Sequence, residues 1–312
     1  MENLIYSAKL ARRFVSDYKL PIPITNRQDF FFYYLDLFEK HNKSMEKYKK
    51  LVELVEEKFD GNPDKFLEDY QLTRDKIIMT ILESESYKKF NTGDMGKYVI
   101  KNHPNVSSNN IYNYENIGKR FLSVDLKRAN YQTLNYVNKD ILLQTSSYEE
   151  FIEKFTDIYY IKESKYTRQV IFGKLNPKRT ITVEKYITNL IREKLNLEFD
   201  LVSMSNDELV YNIPLDSEID IEEIRVRIPE FKLNIEDFIL KGYKLKPLDE
   251  NKPGKLFFTK GDDLTRLITI PIQFYPLAYK LLSKLPLCDV DYHITYEEYD
   301  AILNEKFYVQ NL

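Results

Sequence analysis

Three acidic residues stand where a phosphoryl-transfer enzyme would hold metal ions. Asp125 ends the apolar segment RFLSVD (120–125), and Asp207 and Glu208 lie at the turn of the strand–turn–strand pattern FDLVSMSNDELVYNIP (199–214). Two metal ions about 4 Å apart, which stabilise the attacking and leaving oxygens, need carboxylates from separate elements. Two adjacent strands would supply them, whereas a single acid at a turn is often only a cap.

Basic residues are concentrated between Lys162 and Arg192. This segment holds eight of them against Glu163 and Glu184, a local net charge of +6, whereas residues 193–230 are strongly acidic. Such a segment favours binding to a polyanion such as nucleic acid. The alternative is that it is only a solvated helix face. Together with the KPGK turn it gives a candidate nucleic-acid-binding set, which consists of Lys174, Lys178, Arg179, Lys185, Arg192, Lys252 and Lys255.

Composition excludes several classes of protein. The 312 residues are 43% hydrophobic and 30% charged, and 46 basic side chains nearly balance 49 acidic ones. One cysteine and three scattered histidines exclude a disulfide framework and a sequence-local zinc site. The charged N-terminal segment and the lack of any apolar stretch of about 18 residues predict neither secretion nor membrane insertion. We therefore expect a reducing, cytoplasmic location and no membrane partner.

The hydrophobic pattern predicts an α+β protein that positions these residues. Residues 27–90 have mostly helical spacing, interrupted at Asn62-Pro63, and a polar segment over 102–116 suggests a boundary. Two helical segments are expected over 148–174, the second ended by Asn176-Pro177, and one helix over 182–195. Strands are expected over 120–125, on both sides of Asn206 and after Pro229, where KPGK forms a hairpin turn before a final helical tail.

Three segments resemble motifs of family A (Pol I-like) DNA polymerases. SNDELVYNIP (205–214) is similar to the third palm motif, which reads approximately V-H-D-E-L-V-F-E-V-P. SVDLKRANYQTL (123–134) resembles the first motif, in which the strand-end Asp binds metal. SKYTRQVIFGKLNP (164–177) is similar to the nucleotide-binding helix motif. The motifs follow in the order of the family, and their span covers roughly a third of the chain.

The resemblance implies roles for individual residues. Asp125 and Asp207 would bind Mg²⁺ or Mn²⁺, and Glu208 would support them. Lys165 and Arg168 would offer positive charge to a nucleoside triphosphate. The remaining residues implied at the nucleotide are Phe172, which falls on the family's Phe-Gly, and Asn130, which stands where the family has the Glu that helps exclude a ribose 2′-hydroxyl.

The chain also departs from the family pattern. Ser164 stands where the family has its first phosphate-contacting Arg, Asn176 where it has Tyr, and Asn206 where it has His. Only 35 residues separate Phe172 from Asp207, far fewer than in the family. Most of a fingers domain is therefore missing.

These observations predict three consecutive segments. A helical, thumb-like module is expected over 1–116, a palm-like domain with minimal fingers over 117–230, and a β-rich appendage over 231–312. The palm-like domain should contain a small antiparallel sheet with helices on one face.

The expected function is template-directed nucleotidyl transfer to a nucleic-acid primer end by two metal ions. The substrate would be DNA in preference to RNA. The alternative is a non-catalytic nucleic-acid-binding subunit of a replication or transcription assembly, with other subunits as partners. A third hypothesis, an unrelated α+β protein, predicts that Asp125 and Asp207 lie far apart.

Overall fold

The computed structural model describes residues 4–101, 104, 106, 111–249, 251–296 and 299–312. The fold is α+β, as the sequence predicts. The chain forms two compact units, each built from several segments. The first unit contains Met1–Leu72, Tyr159–Thr167 and Lys241–Leu312, and the second contains Thr73–Ile158 and Arg168–Leu240.

These units do not follow the three consecutive segments expected from the sequence. The N-terminal helices and the C-terminal strands, expected as separate segments, contribute to the same unit. The polar segment over 102–116, where the sequence suggests the first boundary, lies partly outside the described residues. Local composition marks surface loops, but it does not reveal which distant segments pack together.

The α-helices of the described chain carry more of its residues than the strands do. They are α1 (Ala8–Tyr18), α2 (Gln28–Leu37), α3 (Glu39–Asn42), α4 (Ser44–Phe59), α5 (Pro63–Glu83), α6 (Glu85–Thr92), α7 (Ala129–Val137), α8 (Tyr148–Glu153), α9 (Tyr159–Glu163), α10 (Lys165–Gly173), α11 (Pro177–Leu195), α12 (Ile221–Arg227) and α13 (Tyr275–Leu282). Within the described ranges none of these helices is both long and apolar enough to cross a bilayer.

The strands are β1 (Arg120–Leu126), β2 (Asp200–Met204), β3 (Glu208–Ile213), β4 (Leu233–Pro247), β5 (Lys255–Lys260), β6 (His293–Tyr296), β7 (Tyr299–Ile302) and β8 (Phe307–Asn311). In the second unit the strand order is β2–β3–β1–β4, and β1 pairs antiparallel with both of its neighbours. Beyond Leu240, β4 continues in the first unit, where it pairs with β5 and β8.

Helix boundaries follow from capping residues in the sequence. The Asn62 side chain accepts hydrogen bonds from the N–H groups of Asp64 and Lys65, and Pro63 is the first residue of α5. Asn176 and Pro177 repeat this arrangement at α11, where the Asn176 side chain accepts from the N–H of Arg179. The second Asn-Pro pair therefore begins a helix, whereas the sequence analysis assigned it only to a helix end.

Two other predicted elements are wrong. Residues 148–174 contain α8, α9 and α10, three helices where two were expected. The chain does not end in a helical tail, since α13 is followed by β6, β7 and β8. The last strands are four or five residues long, too short for period-two alternation to be distinguished from helical spacing.

The core of the second unit lies on one face of its sheet. Leu122 and Val124 of β1 are buried there with Val183, Ile187 and Ile191 of α11. The helix predicted over 182–195 is thus confirmed as part of α11, and the helices pack on one side of the sheet. Burying each such side chain stabilises the fold by roughly 1.5–3 kcal/mol.

Aromatic and ionic contacts join the ends of the first unit. The ring of Phe38, which follows α2, lies 5.7 Å from that of Tyr275 and 5.1 Å from that of Tyr279. The buried Lys280 ammonium donates to the Tyr33 hydroxyl at 2.7 Å and to the Asp291 carboxylate at 2.8 Å. The N-terminal and C-terminal segments therefore share one core.

Candidate active site

The antiparallel pairing of β1 with β3 brings the backbones of the three predicted acids to the same end of the sheet. Asp125 is the direct partner of Glu208 in the strand register, a pairing in which Cα atoms lie about 4.5–5.5 Å apart. The N–H of Leu126 donates to the carbonyl oxygen of Asp207 at 2.8 Å. Asp125 and Asp207 therefore lie at the ends of neighbouring strands, and all three carboxylates are half-buried.

The face that carries Asp125 is polar at the end where the acids lie. The Ser123 hydroxyl donates to a Glu208 carboxylate oxygen at 2.6 Å, and alternate residues of a strand point to the same face. Across β4, Asn234 is the partner of Asp125 and Glu236 is the partner of Ser123. One face of this sheet thus packs the core, and the other presents acids and amides only near Asp125, because Phe121, Val210 and Phe238 are buried further along it.

The turn between β2 and β3 is fixed by local hydrogen bonds. The Ser205 hydroxyl accepts from the N–H of Glu208 at 3.1 Å and donates to the Asp207 carboxylate at 3.2 Å. From α11, the Thr188 hydroxyl donates to the carbonyl oxygen of Asn206 at 2.7 Å. These contacts hold the turn against α11 and restrict the orientation of Asp207.

A fourth acid lies beside this turn and was not selected from the sequence. Glu184 of α11 is only 6% exposed. Burial, and secondarily the charge of Asp207, raises the pKa of its carboxyl group to about 7. The available signal was its position, because Glu184 lies one helical turn before the buried Thr188, on the inner face of the helix.

If these acids held a magnesium ion, they would hold it jointly with its substrate. Mg²⁺ prefers oxygen ligands and is commonly held by one or two carboxylates together with water and substrate phosphates. Within the described ranges, no group of three or more His, Cys, Asp and Glu residues is placed to hold an ion by itself. Asp125 and Asp207 would be the protein ligands, and Glu208 is the acid directly opposite Asp125.

Helix α10 begins in the first unit and ends in the second, so its predicted residues are divided between them. In the first unit Ser164 is 1% exposed, and its hydroxyl donates to the Asp17 carboxylate at 2.7 Å and accepts from the N–H of Thr167 at 2.9 Å. Ser164 therefore caps the helix within a buried network, which explains why no arginine stands here. Lys165 is exposed.

In the second unit, Arg168 and Phe172 occupy different environments. Phe172 is 2% exposed and belongs to the core, with its ring 6.3 Å from that of Tyr148. The Arg168 guanidinium lies half-buried over the same tyrosine ring. Asn130, the second residue of α7, is half-buried.

The basic residues of the second unit fall into two groups. Lys174, Lys178 and Lys185 are exposed and have no ion-pair partner among the residues that the structure describes. Arg179 donates to the carbonyl oxygen of Gly93 and packs over the Phe90 ring, whereas Arg192 donates to the side chain of Asn189 at 3.1 Å. Of these five predicted residues, the two arginines thus have side-chain partners, and the three lysines form no ion pair within the described part of the chain.

In the first unit the two lysines of the KPGK turn have partners of their own. Lys252 forms an ion pair with Glu305, and the Lys255 ammonium lies 4.4 Å from the centre of the Phe274 ring.

Comparisons with models of protein families, with curated proteins and with solved structures found no match to this chain.

Proposed function

We propose that this chain transfers nucleotides to the end of a nucleic-acid primer under the direction of a template, in the manner of a reduced family A polymerase. One observation carries the proposal: Asp125 and the Asp207–Glu208 pair lie at the ends of neighbouring strands. They come from the two motifs whose resemblance to the family had suggested metal ligands. Two such acids on adjacent strands are what in-line phosphoryl transfer requires.

Different side chains would have different roles in this reaction. Asp125 and Asp207 would hold Mg²⁺, which when bound polarises the phosphoryl group and stabilises its developing charge. The half-buried Arg168 offers a guanidinium to the triphosphate, where low polarity strengthens charge–charge attraction. Lys174, Lys178 and Lys185 would contact the phosphates of the primer–template, because they are exposed and have no intramolecular ion pair among the described residues.

A second candidate is a non-catalytic nucleic-acid-binding subunit of a replication or transcription assembly. It is favoured by the lack, within the described ranges, of a cluster of three metal-ligating side chains. It is also favoured by Ser164 and Asn176, which cap helices where the family places nucleotide-contacting residues. In this alternative the sheet is only a scaffold, and the acids have no catalytic role.

Primer extension with Mg²⁺ tests the proposal. The purified chain should extend a labelled primer only when a template is present, and deoxy- and ribonucleotides should be compared in parallel. Asp125→Asn and Asp207→Asn should each lower the rate by several orders of magnitude, because each removes a ligand charge and almost no volume.

Asp200→Asn is the matched control, since Asp200 is an exposed acid on β2 of the same hairpin. It should leave the extension rate unchanged. A wild-type chain that binds primer–template but extends no primer would instead support the non-catalytic subunit. Full activity of Asp207→Asn would exclude the two-metal proposal.

A further inference from the structure

Two arginines from different elements of the second unit converge on one tyrosine. Arg128 directly precedes α7, and Arg168 lies on α10. The guanidinium carbon of each lies 5.5 Å from the centre of the Tyr148 ring. Such contacts orient a guanidinium by cation–π attraction while leaving the N–H groups at its edge available for hydrogen bonds.

The charge around this ring is not balanced. Arg128 forms an ion pair with Glu149, and Lys232 also acts electrostatically on that carboxylate. Arg168 is half-buried, and its pKa is lowered by burial and then by the positive charge of Arg128. Three cations thus surround one carboxylate, although like charges repel and the partial burial of Arg128 and Arg168 makes the charges of these two harder to maintain.

Glu149 itself is ionised by this arrangement. Its partial burial opposes ionisation, but the hydrogen bond from Arg128 holds the pKa of the Glu149 carboxyl group below its usual value. Glu149 therefore carries a negative charge, but it balances only one of the three positive charges of Arg128, Arg168 and Lys232. An excess of positive charge in a partly desolvated place is best compensated by a bound anion.

We propose that Arg128 and Arg168 together form a binding site for a polyphosphate, the β- and γ-phosphates of a nucleoside triphosphate or the pyrophosphate that leaves. This inference rests on the proposed function and adds Arg128, which was not among the predicted nucleotide-binding residues. Two guanidinium groups match the oxygen pairs of adjacent phosphates, because each presents parallel N–H donors in one plane.

The position of Arg128 supports this ligand. It lies three positions after Asp125 in the sequence, so their Cα atoms lie within roughly 11 Å. Its backbone is in the left-handed region, with φ of 57° and ψ of 48°, a conformation that costs a non-glycine residue energy and is common at ligand sites. The chain thus turns sharply just after the acid that would hold the metal, and Arg128 stands at that turn.

Calorimetric titration of the full chain with sodium tripolyphosphate, in buffer containing EDTA, tests the site without metal or nucleic acid. Wild type should bind, with pyrophosphate weaker and orthophosphate at least tenfold weaker. Arg128→Gln and Arg168→Gln should each reduce the tripolyphosphate affinity at least tenfold. Arg128→Lys and Arg168→Lys keep the charge, and they should show an intermediate loss because the planar pair of donors is gone.

Arg225→Gln is the matched control, since Arg225 is an exposed arginine of the same unit that is already paired with Glu222. It should leave tripolyphosphate affinity unchanged, and all variants should keep the thermal unfolding midpoint of the unliganded wild type within a few degrees. If Arg168→Gln does not fold, the Arg168→Lys and Arg128→Gln titrations decide the matter. An equal loss of tripolyphosphate affinity in Arg225→Gln, or no loss of it in the Arg128 variants, would overturn the inference.

Short oligonucleotides test whether the site binds a polyphosphate or the backbone phosphates of a nucleic acid. A single-stranded oligonucleotide with only backbone phosphates should bind Arg128→Gln as well as wild type. A loss of oligonucleotide affinity without a loss of tripolyphosphate affinity would overturn the polyphosphate assignment.

The failure of this inference can be separated from that of the proposed function. Tripolyphosphate binding through both arginines without primer extension would leave the phosphate site standing and remove the polymerase proposal. If the chain extends a primer but Arg128→Gln does not change the KM for nucleotide, the polymerase proposal stands and the phosphate site is excluded.

Discussion

Glu184 carries a carboxyl group inside the protein, next to a second acid. Its environment favours the neutral form, since burial and the charge of Asp207 raise its pKa to about 7. In the unfolded chain an ordinary Glu titrates near 4.3. Near neutral pH the folded protein therefore keeps a proton that the unfolded chain releases.

This difference predicts how stability depends on pH. A raised acid pKa makes the folded state bind more protons than the unfolded state between about pH 4.3 and 7, so stability falls as pH rises through that range. Glu184→Gln should remove this loss. Urea unfolding in metal-free buffer should show the variant gaining about 1–3 kcal/mol relative to wild type between pH 5 and pH 8.

Glu193→Gln provides the control, because Glu193 is an exposed residue of the same helix. Its unfolding free energy should follow that of wild type at every pH. Parallel pH profiles for wild type and Glu184→Gln would show that Glu184 is ionised in the folded chain, contrary to the expectation.

At the scale of elements, a buried polar network holds three helices of the first unit together. The Tyr70 hydroxyl of α5 donates to the Asp17 carboxylate of α1 at 2.7 Å and contacts the Ser164 hydroxyl at the start of α10 at 3.0 Å. Burial raises the pKa of Asp17, although the hydrogen bond from Ser164 and the charge of Arg13 oppose that shift. The network lies beside apolar packing at this junction, since the Tyr70 ring is 6.0 Å from that of Phe66.

Tyr70→Phe removes the hydroxyl of this network and little volume. It leaves a fully buried carboxylate with one donor fewer, so we expect a loss of about 1–3 kcal/mol in the free energy of unfolding. Chemical denaturation measures it. Tyr308→Phe, at a tyrosine that is 38% exposed, should change stability by less than about 0.5 kcal/mol, and an equally small effect of Tyr70→Phe would show that the network is dispensable.

The exposed lysines at α11 lead to a prediction about binding. Replacing Lys174, Lys178 and Lys185 by Gln should weaken binding to nucleic acid about equally for different sequences. It should also reduce the slope of log K against log salt by roughly one per lysine, because each phosphate contact releases counterions. Arg179 is left intact, since its guanidinium packs on Phe90 and its loss would disturb the fold.

A charge-matched triple variant is the control for this experiment. It replaces three exposed lysines that are each already paired with a carboxylate: Lys50, Lys65 and Lys88. Its salt dependence should equal that of wild type. An unchanged salt slope for the first triple variant would assign those lysines to a solvated helix face.

The elements of this site were largely predictable from the sequence, whereas two of its residues were not. β1, β3 and the inner stripe of α11 follow from local periodicity and turn residues, which act over a few neighbours. Glu184 and Arg128 were missed because burial and charge density depend on which helix packs on which strand. No spacing rule indicates that Arg128 shares a tyrosine ring with Arg168, forty residues further along the chain.

At the scale of the whole molecule, the short connection between α10 and β3 limits how a polymerase of this kind would work. Selective polymerases close a mobile element over the incoming nucleotide, and binding energy drives that closure. Here α11 and β2 fill the interval, and α11 belongs to the core of its unit. No long element remains in that interval to close over a nucleotide.

We therefore expect synthesis by the isolated chain to be slow and distributive, with weak discrimination between deoxy- and ribonucleotides at Asn130. Steady-state incorporation of matched, mismatched and ribose substrates measures these properties. Asn130→Glu, which restores the longer side chain of the family, should increase rejection of ribonucleotides. Rapid, processive and selective synthesis by wild type would show that another part of the chain replaces the missing fingers.

The order of segments in the first unit has a consequence for biosynthesis. Ribosomes deliver residues 1–72 first, yet their partners in Lys241–Leu312 emerge last, after every segment of the second unit has been made. Until then Phe38 lacks the rings of Tyr275 and Tyr279, and Tyr33 lacks Lys280. A nascent chain with such unfinished apolar surfaces is a substrate for chaperones. The first unit is thus completed only after the second unit has been made.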